Sequence, residues 1–303
     1  MDWVTLGLFS AVVLGLYDLG KKHAVRDNAV LPVLFWAQVF AAAIWLPWVI
    51  LSHVNPEAVP ADFLRVEPLD ALGHLRLFAK SALVGTSWGF AYFALKHLPI
   101  SLVAPIRATS PVWTLFGAFF LLGERFNGLQ WVGIAVTLGG FYLLSVAGRK
   151  EGIRFHRDRW VLFIIVATLL GATSSLYDKY LLNVLGYRTP TVQSWFALYL
   201  VVFFFPFFWG WKRRWWPRGE FHWRWSIPFV GVALLIADFA YFRALEMEGV
   251  LIGVLSCLRR GSALVSFAGG LWLFKEKNGR QKLPALLTIL LGIILLVLAR
   301  NPA

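Results

Sequence analysis

The chain has 303 residues, of which 59% are hydrophobic and only 15% are charged, and its mean hydropathy is +0.67. Because soluble domains carry about 25% charged residues, this composition excludes an ordinary soluble enzyme and predicts a protein that crosses a membrane many times. The formal net charge of +13 would suit nucleic acid. The basic residues, however, lie mainly in short loops between apolar runs, which is typical of membrane topology. We therefore expect no nucleic-acid partner.

Ten apolar segments follow one another along the chain, each of about the length that a helix needs to cross the hydrocarbon core. They predict an all-α polytopic membrane protein with ten transmembrane helices. In chain order the segments are residues 3–20, 31–51, 76–95, 99–122, 129–147, 160–183, 190–211, 226–245, 249–274 and 284–299.

Four short motifs recur in the same order in the two halves of the chain. "LYD" lies at residues 16–18 and 176–178, and "FAYFAL" at 90–95 returns as "FAYFRAL" at 239–245. "IRATSPVWT" at 106–114 returns as "LRRGSALVS" at 258–266, and "LLGERFNG" at 121–128 as "LFKEKNG" at 273–279. The motifs predict two repeats, residues 1–148 and 160–303, joined by a basic linker at 149–159. Because each repeat has five helices, the second is inverted, as in many secondary transporters with a central cavity.

The basic residues also predict orientation. The loops after the first, third, fifth, seventh and ninth segments hold 18 of the 29 Lys and Arg residues. Since cytoplasmic loops carry the excess of Lys and Arg, we expect these loops to be cytoplasmic and both termini to lie outside. The expected location is the cell (inner) membrane.

Two arginines occupy equivalent positions within the apolar segments, although a charge at a helix centre costs about 2.5–3.5 kcal/mol on insertion scales. Each begins a polar stripe at i, i+3 and i+7, which places the stripe on one helical face. Facing stripes predict a central site for phosphate or carboxylate, which a guanidinium binds with two donors. The alternative is structural ion pairing with an embedded acid. The two stripes are Arg107, Ser110 and Thr114, and Arg259, Ser262 and Ser266.

Four further charged residues are candidates for coupling or gating. Asp18 and Asp178 are repeat-equivalent, and each could carry a proton or form a salt bridge. Asp238 has Gly89 at its repeat position, which suits either substrate selectivity or an ion pair with an arginine. Arg260 lies about 100° around the helix from Arg259, so ion pairing or snorkelling is expected for one of these two.

Aromatic residues accompany the stripes. Tyr92 and Tyr241 are repeat-equivalent and Trp88 lies one turn before Tyr92; they line the cavity wall or only pack between helices. Glu124 and Glu276 follow equivalent helices, which indicates a shared structural task at helix ends. The sequence contains no catalytic or nucleotide-binding motif and no zinc-type spacing around its single cysteine. We expect a protein that is not an enzyme and has neither cofactor nor metal.

The segments at residues 94–140 and 252–277 resemble the drug/metabolite transporter superfamily, and within it the ten-helix EamA-like permeases. The resemblance implies a cavity lined by helices 3, 4, 8 and 9 with 1 and 6, and outer helices 5 and 10. It also implies cytoplasmic termini, opposite to the charge distribution. The triose-phosphate translocator group holds phosphate with one basic residue on helix 4 and a basic pair on helix 9, and Arg107, Arg259 and Arg260 occupy similar places.

The favoured hypothesis is a secondary active transporter that moves a small polar, anionic metabolite by alternating access, with protons or a counter-substrate as coupling partner. One alternative is a translocase for an anionic lipid headgroup. Another is an intramembrane enzyme or regulator without transport. Membrane lipids are expected partners, and the chain acts as a monomer or a homodimer.

Overall fold

A computed structural model describes residues 2–97, 106–107, 109–146, 159–215, 219–262, 264–266, 268–269 and 279–299. Within these ranges the secondary structure is entirely helical. The predicted all-α architecture with ten helices is confirmed. Two short 3-10 turns, Pro56–Ala58 and Asp62–Leu64, lie in the connection between the second and third helices.

Ten helices lie within the described ranges, and most of them follow the apolar segments. They are α1 Trp3–Val25, α2 Val30–Val54, α3 Ala71–His97, α4 Ser110–Leu121, α5 Gly128–Val146, α6 Arg159–Lys179, α7 Thr189–Lys212, α8 Ser226–Glu246, α9 Ile252–Arg259 and α10 Gly279–Leu298. Helices α4 and α9 are clearly shorter than the segments 99–122 and 249–274. A π-helical turn, Tyr180–Val184, continues α6, and residues 262, 264–266 and 268–269 beyond α9 are also helical. The predicted linker lies outside the described residues except for Arg159, which begins α6.

Five helices are long and apolar enough to cross a membrane by themselves, counting only residues that the structure describes. They are Trp3–Val25, Val30–Val54, Arg159–Val184, Thr189–Lys212 and Ser226–Glu246. The apolar helices at Ser110–Leu121, Gly128–Gly140 and Leu283–Leu298 are shorter. Large apolar side chains remain exposed along α5 and α10, for example Trp131, Leu287 and Leu291, which is expected where helices face lipid.

The helices pack in a pattern that pairs the two halves of the chain. The most extensive contacts join α5 to α10, α1 to α8, α3 to α6 and α2 to α7. Smaller contacts join α3 to α7, α2 to α8, α4 to α6, α1 to α9 and α4 to α9. If α1 is exchanged with α6, α2 with α7, and so on to α5 with α10, each of these pairs becomes itself or another of the observed pairs. For example, the α1–α8 pair becomes the α6–α3 pair. The core is therefore built between the halves rather than within either of them.

Glycine allows α5 and α10 to approach closely. A Cβ atom added at Gly140 would lie 2.7 Å from the backbone nitrogen of Ile289, and one added at Gly292 would lie 2.6 Å from that of Thr137. Small residues permit such backbone approach between helices in a membrane, where packing rather than the hydrophobic effect drives association.

Candidate functional site

Most charged side chains within the helices pair with one another. Lys80 of α3 donates to Asp178 of α6, and both side chains are buried, with 1% and 7% exposure. The Lys80 ammonium also lies 4.1 Å from the ring centroid of Phe196 and 4.8 Å from that of Phe242. Since an unpaired charge in a low-dielectric interior is very costly, this contact explains how α3 and α6 tolerate a lysine and an aspartate at their interface.

A second buried ion pair lies where α4, α6 and α9 meet. The Lys179 ammonium lies 2.5 Å from Oε1 of Glu124 and donates to the carbonyl of Val250 at 2.7 Å. The same carboxylate accepts the backbone N–H groups of Ile252 at 2.7 Å and Gly253 at 3.2 Å. Glu124 thus caps the amino end of α9, where free N–H groups and the helix dipole favour a negative charge. Glu276, which the sequence predicts to be the repeat counterpart of Glu124, lies outside the described residues.

Arg259 is held by an acid and an aromatic ring of the preceding helix. Its guanidinium donates through Nη2 to Asp238 of α8, and its central carbon lies 4.2 Å from the ring centroid of Tyr241. Tyr241 is buried, with 2% exposure. The Nε–H of Arg259 is buried and finds no acceptor among the described groups. The ion pair that the sequence offered as an alternative for Asp238 is present, and one donor of Arg259 remains open.

Arg107 and Arg260 differ from Arg259 in having no carboxylate within ion-pair distance among the residues that the structure describes. Arg107 is exposed, and Arg260 is partly buried just beyond the end of α9. Within the described part of the chain, neither side chain forms a hydrogen bond or an ion pair. Arg260 is close enough to Arg107, Arg259 and Asp18 to interact with each electrostatically. Arg107, from the segment before α4, and Arg259, the last residue of α9, thus both lie within electrostatic range of Arg260, which follows α9.

The hydroxyl stripes are only partly available to a ligand. Ser110, Thr114 and Ser262 are buried. Thr114 donates to the carbonyl of Ser110 at 3.2 Å, and Ser266 donates to the carbonyl of Gly15 in α1 at 3.4 Å. Although α4 and α9 pack against each other, the hydroxyls of Thr114 and Ser266 are bonded to backbone.

The remaining predicted residues fall in contrasting surroundings. The Asp18 carboxylate is partly exposed and lies 3.3 Å from the Lys21 ammonium. Asp178, its predicted repeat counterpart, is buried and paired with Lys80. Trp88 stacks on Phe204 with ring centroids 6.2 Å apart, which is a packing contact. The side chain of Tyr92 lies outside the described residues.

The sequence places Lys80 and Lys179 inside apolar segments, with Lys179 next to Asp178, and it places Glu124 at a helix end without naming its contacts. In the structure Asp178 pairs with Lys80 instead, and Lys179 pairs with Glu124. The signal was present, since an isolated lysine in an apolar run requires an acid nearby. No group of three or more His, Cys, Asp or Glu residues that could hold a metal occurs in the ranges that the structure describes.

Comparison with known proteins agrees with this architecture. Residues 1–146 match the EamA-like transporter family. An uncharacterized transporter from Clostridium kluyveri is 25% identical over 181 residues, covering 59% of this chain and 56% of that protein; the match thus spans about half the length of the curated relative. A protein known from a crystal structure is 15% identical with a TM-score of 0.74, covering 98% of this chain and 99% of that chain, which shows a shared fold. The chain is therefore a multi-pass membrane protein whose residues 1–146 match the EamA-like transporter family.

Proposed function

We propose that the chain is a secondary transporter that moves a small polar anion, bearing phosphate or carboxylate, by alternating access. The proposed architecture has two inverted five-helix repeats, residues 1–148 and 160–303, around a central cavity, with the basic segment 149–159 between them. The helix contacts support it, because the pairing pattern is unchanged when each helix is exchanged for its counterpart. Such symmetry suits a structure that opens alternately to the two sides.

The cluster of guanidinium groups carries the proposal for an anion. Arg107 and Arg260 form no hydrogen bond or ion pair in the described part of the molecule, and they lie within electrostatic range of each other. The acid within electrostatic range of Arg260, Asp18, is already paired with Lys21. Like charges that a fold brings together without compensation are costly inside a membrane, and a bound anion offsets that cost. The open Nε–H of Arg259 adds one directed donor. Ser110, Thr114, Ser262, Ser266, Tyr92, Tyr241 and Trp88 are the proposed surroundings of this substrate site.

The embedded acids are proposed to gate the cavity. In this proposal the buried pair of Asp178 with Lys80, between α3 and α6, closes one end of the cavity. Asp18, partly exposed beside Lys21, lies at the other end of the cavity. Asp238 restrains Arg259, while Arg260 can turn to Asp18 or to the substrate. Coupling to protons or to a counter-substrate operates through the same groups.

The proposed orientation places the basic loops in the cytoplasm and both termini outside the cell membrane. The connections after α1 and α7 are in contact, which supports placing both of these basic segments on the same side of the membrane. The Arg224 side chain donates to the carbonyls of His23 and Arg26 at 2.6 Å each, and Asn28 donates to the carbonyl of His222 at 2.7 Å.

The exposure of Arg107 favours one second candidate, the translocation of a lipid with an anionic headgroup. Exposed Trp113 and Phe116 follow it on α4, and an acyl chain could lie against such a surface while the headgroup contacts the arginine.

Uptake by the purified protein in liposomes tests the proposal. The substrates are small phosphorylated and carboxylated metabolites, beside neutral sugars, neutral amino acids and organic cations of similar size. We expect uptake of anions alone, whereas uptake confined to neutral or cationic compounds would contradict the proposal. In liposomes with headgroup-labelled anionic lipid, an impermeant quencher removes only the outer-leaflet signal when no lipid crosses the bilayer. Greater loss of fluorescence than in protein-free liposomes would favour the second candidate.

A further inference from the structure

Asp238 breaks the symmetry of the proposed site. The aspartate immediately precedes the "FAYF" of residues 239–242, and the residue in the same place before residues 90–93 is Gly89. Arg259 and Arg107 are also repeat-equivalent. One arginine of the equivalent pair therefore has an acid on the preceding helix, while the other has a glycine at that position.

The acid alters the charge that the site offers. Arg107, Arg259 and Arg260 bring three positive charges, and Asp238 neutralises Arg259 through a direct hydrogen bond. The neighbouring charges compensate each other, since Asp18 lies beside Lys21 and Asp178 is bound to Lys80. Among the described residues the cluster thus has a net charge of about two.

We propose that Asp238 is a specificity-determining residue that tunes the site to doubly charged anions. The inference rests on the proposed anion transport and names its substrate class. A dianion compensates the net charge, a monoanion leaves one positive charge uncompensated, and a trianion brings one negative charge too many. Because electrostatic complementarity between a site and its ligand discriminates between charge states, dianions bind in preference to both.

The position of Gly89 offers the reciprocal change. A Cβ atom added there meets no heavy atom within 4 Å, so a larger side chain can be accommodated. Because positions 89 and 238 are equivalent in the predicted repeats, we expect an aspartate at position 89 to pair with Arg107 as Asp238 pairs with Arg259. Gly89→Asp should therefore lower the charge of the site by one, whereas Asp238→Asn raises it by one.

Binding can be measured as stabilisation of the purified protein against thermal unfolding, because a ligand that binds only the folded state raises Tm. Two series at pH 8 vary charge within one chemistry. The first is propionate, succinate and tricarballylate, and the second is dimethyl phosphate, methyl phosphate and pyrophosphate. Wild type should bind the dianion of at least one series most tightly.

Asp238→Asn should raise the affinity for the trivalent anion relative to the dianion by about tenfold, and Gly89→Asp should shift the preference toward the monoanion by a similar factor. The double variant should return to the wild-type order. Gly89→Asn controls for added bulk, and Asp62→Asn removes an exposed acid that pairs with Arg188 rather than with an arginine of the cluster. If Asp238→Asn does not fold, Gly89→Asp against Gly89→Asn decides alone.

Two results would overturn the inference, and they are distinguishable. Wild type that binds anions without preferring dianions, or variants whose preference stays within about twofold of wild type, would reject the role of Asp238 and leave anion transport standing. A wild-type protein that binds no member of either series would reject the anion site as well.

Discussion

Lys80 of α3 and Asp178 of α6 form an ion pair that is almost completely withdrawn from solvent, although 98 residues separate them in the chain. The ammonium also faces the rings of Phe196 and Phe242. Removing only one residue of such a pair lowers stability strongly, because the remaining residue is a buried, uncompensated charge.

Replacing Lys80 by methionine should therefore lower the free energy of unfolding by about 3–5 kcal/mol, since Asp178 stays behind in the core. Changing both residues, as Lys80→Met with Asp178→Leu, should recover much of the loss. Thermal unfolding in detergent measures both effects. Lys21→Met is the matched control, because its pair with Asp18 is partly exposed and such pairs contribute about 0–1 kcal/mol. Equal losses for Lys80→Met and Lys21→Met would contradict this account of the α3–α6 interface.

Glu124 should be important for stability in the same way. Glu124→Ala removes the cap of α9 and leaves the Lys179 ammonium buried, so we expect a loss of about 3–5 kcal/mol. Glu124→Gln keeps an acceptor for the N–H groups of Ile252 and Gly253 and should cost less. Glu248→Ala, at an exposed position before α9, is the control. A Glu124→Ala protein that unfolds at the wild-type temperature would show that the cap is dispensable.

Substitutions at two adjacent glycines of α5, Gly139 and Gly140, measure the effect of close packing apart from the effect of helix propensity. Gly140→Ala places a Cβ atom against the backbone of α10 and should destabilise by about 1–3 kcal/mol. Gly139→Ala meets no atom within 4 Å and should stabilise by up to about 1 kcal/mol, the propensity difference between glycine and alanine. Unfolding temperatures of the two variants should thus move in opposite directions. Shifts of the same sign and size would argue against the close contact of α5 with α10.

Cysteine labelling tests the orientation. The native Cys257 is buried, so a cysteine introduced at Arg213 or Glu57 gives the dominant signal. An impermeant maleimide should label Glu57→Cys in intact cells and Arg213→Cys only in inverted vesicles. The reverse pattern would place the termini in the cytoplasm, as the family resemblance implies.

Much of the fold was predictable, because membrane helices are coded by long apolar runs whose length depends only on helix rise and bilayer thickness. All ten predicted segments contain helix in the described residues. The observed helix ends differ from the predicted ones where polar residues continue a helix past the apolar run. For example, α2 extends to Val54, beyond the predicted segment 31–51.

The partners of the charged residues were less predictable, since they depend on which helices pack together. Asp238 and Arg259 lie on consecutive helices, and an ion pair between Asp238 and an arginine was predicted as one alternative, although the arginine was not specified. The pairing of Lys80 with Asp178 requires knowing that α3 packs on α6. The contacts of Glu124 require the position of the α9 terminus, which no local pattern gives.

The central claim, anion transport through the arginine cluster, is tested most directly by initial uptake rates in proteoliposomes for wild type, Arg107→Gln, Arg260→Gln and Arg125→Gln. Arg125 is exposed after α4 and stacks on Phe119, so it controls for the loss of a basic residue outside the cluster. We predict that Arg107→Gln and Arg260→Gln each lower kcat/KM for the transported anion by at least about thirtyfold, as expected when a charged contact is lost. Arg125→Gln should match wild type. Folded Arg107→Gln and Arg260→Gln proteins that transport the anion at the wild-type rate would contradict the claim.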